Sequence, residues 1–417
     1  MESTLINRAE LLLEQNRPKE ALDILHAVLS KDPNNIQTLA LMSEAHLEMG
    51  QGKESQTLIE SAIGLAPDIA PLHYIKAKVM MSQKKFDEAE KSFFNASTLD
   101  PSEADYFAIW AMVKNIRKQF TEGLDLAERA LELQPDNINA LNARSTSLTK
   151  LGRKEESARS IEGALREDPN NAFTHANYGW SELERGSHTK AMEHFKEALK
   201  NDPTMEFAQA GMMEALKARY FLYRLFLKYV FWMSNLTSKY QWAVIIGFYV
   251  GFRIIRSVAD SNPALAPYLN PLIILLTIVA FSTWITTPIS NLFLRFNPYG
   301  KHLLDKKEID SSNLVGISLV LAVVGLLLYF IDGSELWLGL SAFGIGMMIP
   351  CSTIFSSAKN KMALPIYTIA MAILGVLGLM VIFQGGELFN LFSTLFLFAL
   401  VGFQWFANFM LIKQNNH

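Results

Sequence analysis

The chain has 417 residues, half of them hydrophobic and only 19% charged, which makes it too long for one ordinary domain and unusually apolar for a water-soluble one. Its formal net charge of −3 hides two unlike halves: residues 1–218 hold 25 basic and 34 acidic side chains, net −9, while residues 219–417 hold 13 and 7, net +6. An acidic helical half excludes phosphate-backbone binding, so no nucleic acid is expected as a partner, and the single cysteine, Cys351, excludes an internal disulfide and a cysteine-based zinc cluster.

Residues Met1 to Glu14 mix charge and apolar residues at helical spacing and lack the continuous apolar core of a secretory signal, so the first half is expected to stay where it is made. Prolines then recur every thirty-four residues, at Pro33, Pro67, Pro101, Pro135, Pro169 and Pro203. A fixed period of this length marks stacked helix-turn-helix units that bury their apolar faces only against their neighbours. Aligned on the prolines, small residues fall into columns where helices must approach closely. One column is Ala9, Ser43, Ala77, Ala111, Ser145 and Gly179; another is Ala21, Ser55, Ala89, Gly123, Ser157 and Ala191; a third is Val28, Ala62, Ala96, Ala130, Ala164 and Ala198. A larger apolar residue follows the second column by four, as Leu25, Ile59, Phe93, Ile161 and Phe195, with Ala127 the exception. Breakers such as Met49-Gly50-Gln51-Gly52, Leu151-Gly152-Arg153 and Arg185-Gly186-Ser187 mark the turns within units.

These columns resemble the tetratricopeptide repeat over residues 1 to about 203. The resemblance implies an all-α solenoid of about six helix-turn-helix repeats, closed by a further capping helix in residues 204–218, thirteen helices in all. Arg8, where a large apolar residue is usual, suits a first unit whose outer face meets water. In this family a protein or peptide ligand lies in the groove lined by the first helices. Position by position, that face selects Tyr74, Lys78, Met81, Met112, Asn115, Asn139, Asn142 and Trp180 as the expected contact set. Asparagine amides offer both donor and acceptor to a ligand backbone, and Met or aromatic side chains hold apolar groups. The bland alternative is that the asparagines are solvated surface and that Tyr74 and Trp180 partly fill the superhelix. Ile6 and Glu10 stand where chaperone-binding members clamp a C-terminal carboxylate, so such a ligand is not expected.

Residues 219–239 begin RYFLYRLFLKYVFWMSN, too short and too charged to span a bilayer. They read as an interfacial helix, with Arg219, Arg224 and Lys228 near anionic lipid and Trp232 in the headgroup layer; a connector packed on the spans is the other reading. Residues 240–417 hold a transmembrane bundle of six spans, near 241–258, 268–292, 314–331, 336–356, 362–384 and 388–412. The first contains Arg253 and Arg256 near its far end, within reach of the interface. Six spans with a cytoplasmic array leave only those two arginines outside and eleven basic residues inside, as the positive-inside rule requires. Both termini are therefore expected in the cytoplasm.

Gly247 and Gly251 form a G-x-x-x-G pattern, and Gly316, Gly325, Gly339, Gly344, Gly346, Gly375 and Gly378 also lie in spans. Tight packing within one bundle outweighs a specific dimer seam as their reading, with a homo-oligomer left open. The loop LRFNPYGKHLLDKKEIDSSN resembles a segment of uncharacterised bacterial membrane proteins that carry such repeats, which implies a bacterial inner membrane. No catalytic constellation, metal motif or cofactor fingerprint is visible: Ser341 has no intramembrane histidine, and the carboxylates Asp332, Glu335 and Glu387 stand at span ends. Ser282, Thr283, Thr286, Thr287, Ser290 and Asn291 make one span polar, and Gln404 with Asn408 mark another, more readily as interhelical hydrogen bonding than as a path. The expected function is a membrane-anchored adaptor that captures a protein or peptide and has no enzymatic role. The alternative is a transporter or lipid-handling protein whose repeats regulate it or recruit a subunit.

Overall fold

The computed structural model describes residues 2–294, 304–355 and 362–414, and every regular element among them is a helix. Thirteen helices fill the first half: α1 Glu2–Glu14, α2 Pro18–Leu29, α3 Ile36–Glu48, α4 Gly52–Leu65, α5 Ala70–Ser82, α6 Phe86–Leu99, α7 Ala104–Ile116, α8 Phe120–Leu133, α9 Ile138–Lys150, α10 Lys154–Glu167, α11 Ala172–Glu184, α12 His188–Asn201 and α13 Glu206–Lys217. Seven follow: α14 Phe221–Asn235, α15 Ser238–Ser261, α16 Ala266–Leu294, α17 Lys306–Asp332, α18 Glu335–Thr353, α19 Ala363–Phe383 and α20 Leu391–Gln414. By packing, the chain divides into Met1–Ser181 with Lys200–Asp202, and Glu182–Leu199 with Pro203–His417. Charge and hydropathy change at residue 218, whereas α12 and α13 pack in the same unit as the carboxy-terminal helices.

In the first unit the repeat columns become the core. Leu25, Ile59, Phe93 and Ile161 are fully buried, and so is Ala127 where the large residue is missing. Serine in a small column keeps its hydroxyl satisfied across the helix pair: Ser43 Oγ donates to Ser55 O at 2.9 Å and Ser55 Oγ to Ser43 O at 2.7 Å. The turn within each repeat ends its first helix in the left-handed conformation, at Asn16, Gly50, Lys84, Lys118, Gly152 and Gly186. The amide of that residue and the one after it bond back to the helix, as Lys84 N to Met81 O and Lys85 N to Met80 O, both 2.9 Å. Glycine adopts this backbone without steric penalty and lysine does not. Lys84→Gly, at φ 59°, is therefore expected to stabilise the protein by about 0.5–1 kcal/mol. Urea unfolding followed by circular dichroism would show the gain, and a loss would refute it.

In the second unit, α12 and α13 meet where the Phe195 ring lies on the backbone of Gly211, so closely that a Cβ at 211 would collide with it. Leu216 of α13 is buried in a cluster with Leu294 and Leu304, packed by Met192, Met212, Met213 and Ile309. The capping helix thus rests on the carboxy-terminal end of α16. Six helices here, α15 to α20, are long and apolar enough to cross a membrane. α17 begins eight residues before the apolar run at 314 because Asp305 and Glu308 form a reciprocal capping box over the charged first turns. α20 begins at Leu391, after 388, because the Asn390 side chain caps it by accepting from the Phe392 and Ser393 amides.

Glycines place α17 and α18 backbone against backbone: a Cβ on Gly344 would lie 2.6 Å from both Ala322 N and Ser318 O, and one on Gly325 would lie 2.6 Å from Ser341 N. Gly247 and Gly251 differ, with no neighbour within 4 Å of a Cβ on either. The tight-packing reading therefore fails for this G-x-x-x-G pair, which α15 turns away from the helices around it. The Pro-Tyr-Gly turn of the 295–303 segment lies outside the described residues.

Candidate functional site

The first helices of the array place one residue per repeat in register at Glu44, Lys78, Met112, Thr146 and Trp180, all half-buried. Lys78 Nζ bonds Glu44 at 2.7 Å, one full period away, and stands 5.1 Å from the Tyr74 ring centre. Tyr74 packs on Tyr106 with centroids 5.0 Å apart and edge-on to Phe93 at 6.0 Å. Its hydroxyl is held well above the ordinary phenol range by burial first and then by the carboxylates of Asp105, Glu44 and Glu103. Burial, and then Glu44, also raises Glu48 against the pull of Lys78. This end of the face is aromatic with paired charge. Met81 joins the core cluster beneath it, and Met112 packs on Ala111, Ala127 and Ala143.

Further along, the face is a ladder of polar side chains. Asn139 Nδ2 reaches Asp105 Oδ1 at 3.4 Å, and Asn137 reaches the same oxygen at 2.9 Å. Asn115 donates to Ala143 O at 2.8 Å and accepts from Ser147 Oγ at 2.7 Å. Asn142 is only 2% exposed; it donates to Thr174 Oγ1 at 2.8 Å and its backbone and side-chain oxygens accept from Asn177. The amides of Asn115 and Asn142 are therefore struts between neighbouring repeats, with donor and acceptor engaged inside the array, whereas the expectation had both offered to a ligand backbone. Asn139 remains at the half-buried rim, as does Trp180. Glu44, Asp105, Thr146 and Asn177 belong to the face and escaped the sequence reading. The period could have found them, because residues 32 to 35 apart are the ones that pair.

A second ionic group joins α6, α7 and α8. Lys114, itself 9% exposed, sits between Glu90 at 2.6 Å and Glu122 at 2.7 Å, and Arg117 spans Asp87 and Glu90. Burial works against the Lys114 charge, but the hydrogen bonds to Glu122 and Glu90 outweigh it and raise its pKa.

At the junction with the carboxy-terminal helices, α14 has two faces. Tyr223 and Leu227 are 2% and 4% exposed, while Phe221, Leu225, Lys228, Tyr229 and Trp232 recur at helical spacing on the open side. Arg219 is exposed, and Arg224, half-buried, lies 6.0 Å from the Phe221 ring. Beneath α14, Lys217 is 1% exposed and bonds Glu214 at 3.2 Å, and Tyr223 Oη donates to Glu214 at 2.6 Å. The Lys217 ammonium lies 5.8 Å from the Tyr223 ring.

His188, at the start of α12, has its pKa lowered by burial and then by Arg224 and Arg219. A histidine with a lowered folded pKa adds stability above its unfolded value of about 6.5 and loses it as pH falls through the folded one. Acidification from pH 7.5 to 5 should therefore loosen the α12 to α14 contacts. Hydrogen exchange of those helices would report it, and His188→Gln should blunt the pH dependence.

Tetratricopeptide repeat models match residues 12–79 and, in two overlapping placements, 117–172 and 142–206. The protein O-mannosyl-transferase TMTC1 of Mus musculus is 27% identical over 155 residues, 36% of this chain and 16% of that protein. The mitochondrial import receptor subunit TOM70 of Homo sapiens is 22% identical over 207 residues, 47% of this chain and 34% of that one. The chain thus spans about a sixth and a third of these relatives. Among solved structures, pilF of Pseudomonas aeruginosa aligns with a TM-score of 0.42 and 16% identity, covering 50% of this chain and 95% of that one. The amino-terminal part of the chain is an array of tetratricopeptide repeats, followed by six helices long and apolar enough to cross a membrane.

Proposed function

We propose that the protein is a membrane-anchored adaptor: the first-helix face of the array captures a protein or peptide, and α15 to α20 hold it at a bacterial inner membrane with both termini cytoplasmic. The reading assigns the protein no catalytic step. The observation that carries it is the register of Glu44, Lys78, Met112, Thr146 and Trp180, a half-buried row with one side chain from each of five repeats. Such a row suits an extended partner, whose successive residues meet aromatic, charged and apolar positions in turn. Orientation rests on the basic residues at the span ends, which six spans gather on the array's side. The open face of α14 supports its placement in the headgroup layer, since Trp232 and Tyr229 flank Lys228 there.

Photocrosslinkers placed at Met112 and Trp180 of the full-length protein in cells should yield one discrete product, and Lys78→Glu should weaken it. Residues 219–417 alone replacing the whole chain in a deletion strain would defeat the proposal. A reporter fused after His417 and active only outside the cytoplasm would defeat the orientation.

A further inference from the structure

A cavity of about 260 Å³ lies between α18, α19 and α20, at the end of the helices where α18 begins and α19 stops. Of the side chains around it only Ser393 carries a polar atom, and the loop before α20 engages that hydroxyl: it donates to Leu388 O at 2.8 Å and accepts from Asn390 N at 2.9 Å. The walls offer water almost nothing. A buried water makes about three hydrogen bonds, and an apolar cavity of about 150 Å³ already stays dry and takes up benzene.

Floor and roof are both fixed. At the floor the Phe343 ring lies on Gly375 so closely that a Cβ there would collide, and it packs on Phe396 with centroids 5.8 Å apart. Phe396 rests in turn on Gly346, where a Cβ would stand 2.8 Å from its ring, so tipping either ring into the space would forfeit a close contact. Leu388 and Phe389 form the roof. Their loop is tied down by Leu388 N, which donates to Glu335 at 3.2 Å, and by Asn390 Nδ2, which donates to Gly378 O at 3.1 Å. The open side is lateral, a slit from Phe389 down to Ala342 and Leu397, all three exposed and the last two within apolar spans. From Glu335 to Phe343 α18 descends about 12 Å, less than the half-thickness of about 15 Å of an apolar bilayer core. The slit therefore meets hydrocarbon.

We propose that this cavity holds an acyl chain of a membrane phospholipid, which enters sideways past Ala342 and Leu397 and ends on the rings of Phe343 and Phe396. A void of this size forfeits dispersion contacts on every wall, and a hydrocarbon chain restores them while asking for no hydrogen bond. The site rests on the placement of α15 to α20 in a membrane and owes nothing to the partner of the array.

Native mass spectrometry of the full-length protein, purified in detergent and stripped of lipid in steps, should show one phospholipid that remains after the rest have gone. Ala342→Trp narrows the slit and should cut that retention about tenfold. Leu397→Trp, across the slit, should do the same and serves if the first variant misfolds. A phospholipid with a diazirine near the end of one acyl chain locates the retained molecule. Its label should fall on Phe343 or Phe396 and spare Val320, an exposed residue of α17 outside the cavity. Label on Val320 alone, no lipid that outlasts the others, or undiminished retention in both folded tryptophan variants overturns the site and leaves the membrane placement standing. Full-length protein that leaves the membrane fraction without detergent overturns the placement and the site with it.

Discussion

Gly344→Val should leave the carboxy-terminal helices unable to assemble. Any Cβ at 344 meets the backbone of Ala322 and Ser318 at 2.6 Å, so no side-chain rotation can relieve it and α17 must move away from α18. Overpacking a well-filled core costs about 1–3 kcal/mol, and a backbone-on-backbone collision belongs at or above the top of that range. The loss falls on close van der Waals contact, a main term that holds helices together in lipid, where water offers no hydrophobic drive. Cys351, the chain's single cysteine and 6% exposed, supplies the measurement: its alkylation rate in mild detergent should rise many-fold. Gly251→Val is the matched control, because a side chain at 251 meets nothing within 4 Å. If both variants protect Cys351 equally, the α17 to α18 contact is not what holds the bundle.

Glu214→Ala should destabilise the junction by about 3–5 kcal/mol, the usual cost of stranding a buried ion by removing its partner. Lys217 is 1% exposed, and among the described residues Glu214 is the acid that bonds its ammonium. The same carboxylate accepts the Tyr223 hydroxyl, so alanine strands two polar groups at once. A double variant, Glu214→Leu with Lys217→Met, removes charge from both sides and should recover most of the loss, because a buried ion pair adds little net stability over well-packed apolar residues. Thermal unfolding of the full-length protein, with hydrogen exchange resolving α13 and α14, separates the outcomes. A single variant no worse than the double would mean that the Lys217 charge is neutralised some other way.

Periodicity made the array legible because the same physical demand returns every thirty-four residues: a small side chain where helices cross, and a proline where the pair must end. Even Ala127, the one departure in the large apolar column, is fully buried like its counterparts. The same rule did not reach the polar ladder. Asn115 and Asn142 look like any other asparagines on a helix face, and only the distance to Ala143 O or Thr174 reveals that their amides are taken. Hydropathy likewise marked the apolar runs but not where α17 starts, since a capping box over charged residues extends a helix without adding apolar character. Gly247 and Gly251 matched a packing pattern by spacing alone, and spacing carries no information on which way a helix face turns.

The capping helix has one further consequence. A repeat array usually ends in water at both extremities, and here the far side of α13 is met by Leu294, Leu304 and Ile309. At the α1 end, by contrast, Arg8 is exposed to solvent. Duplication of a thirty-four-residue unit near that end would lengthen the binding row and leave the mount untouched, whereas an insertion after Pro203 would pull α13 off α16. Variation in repeat number among proteins of this design should accordingly accumulate at the amino terminus.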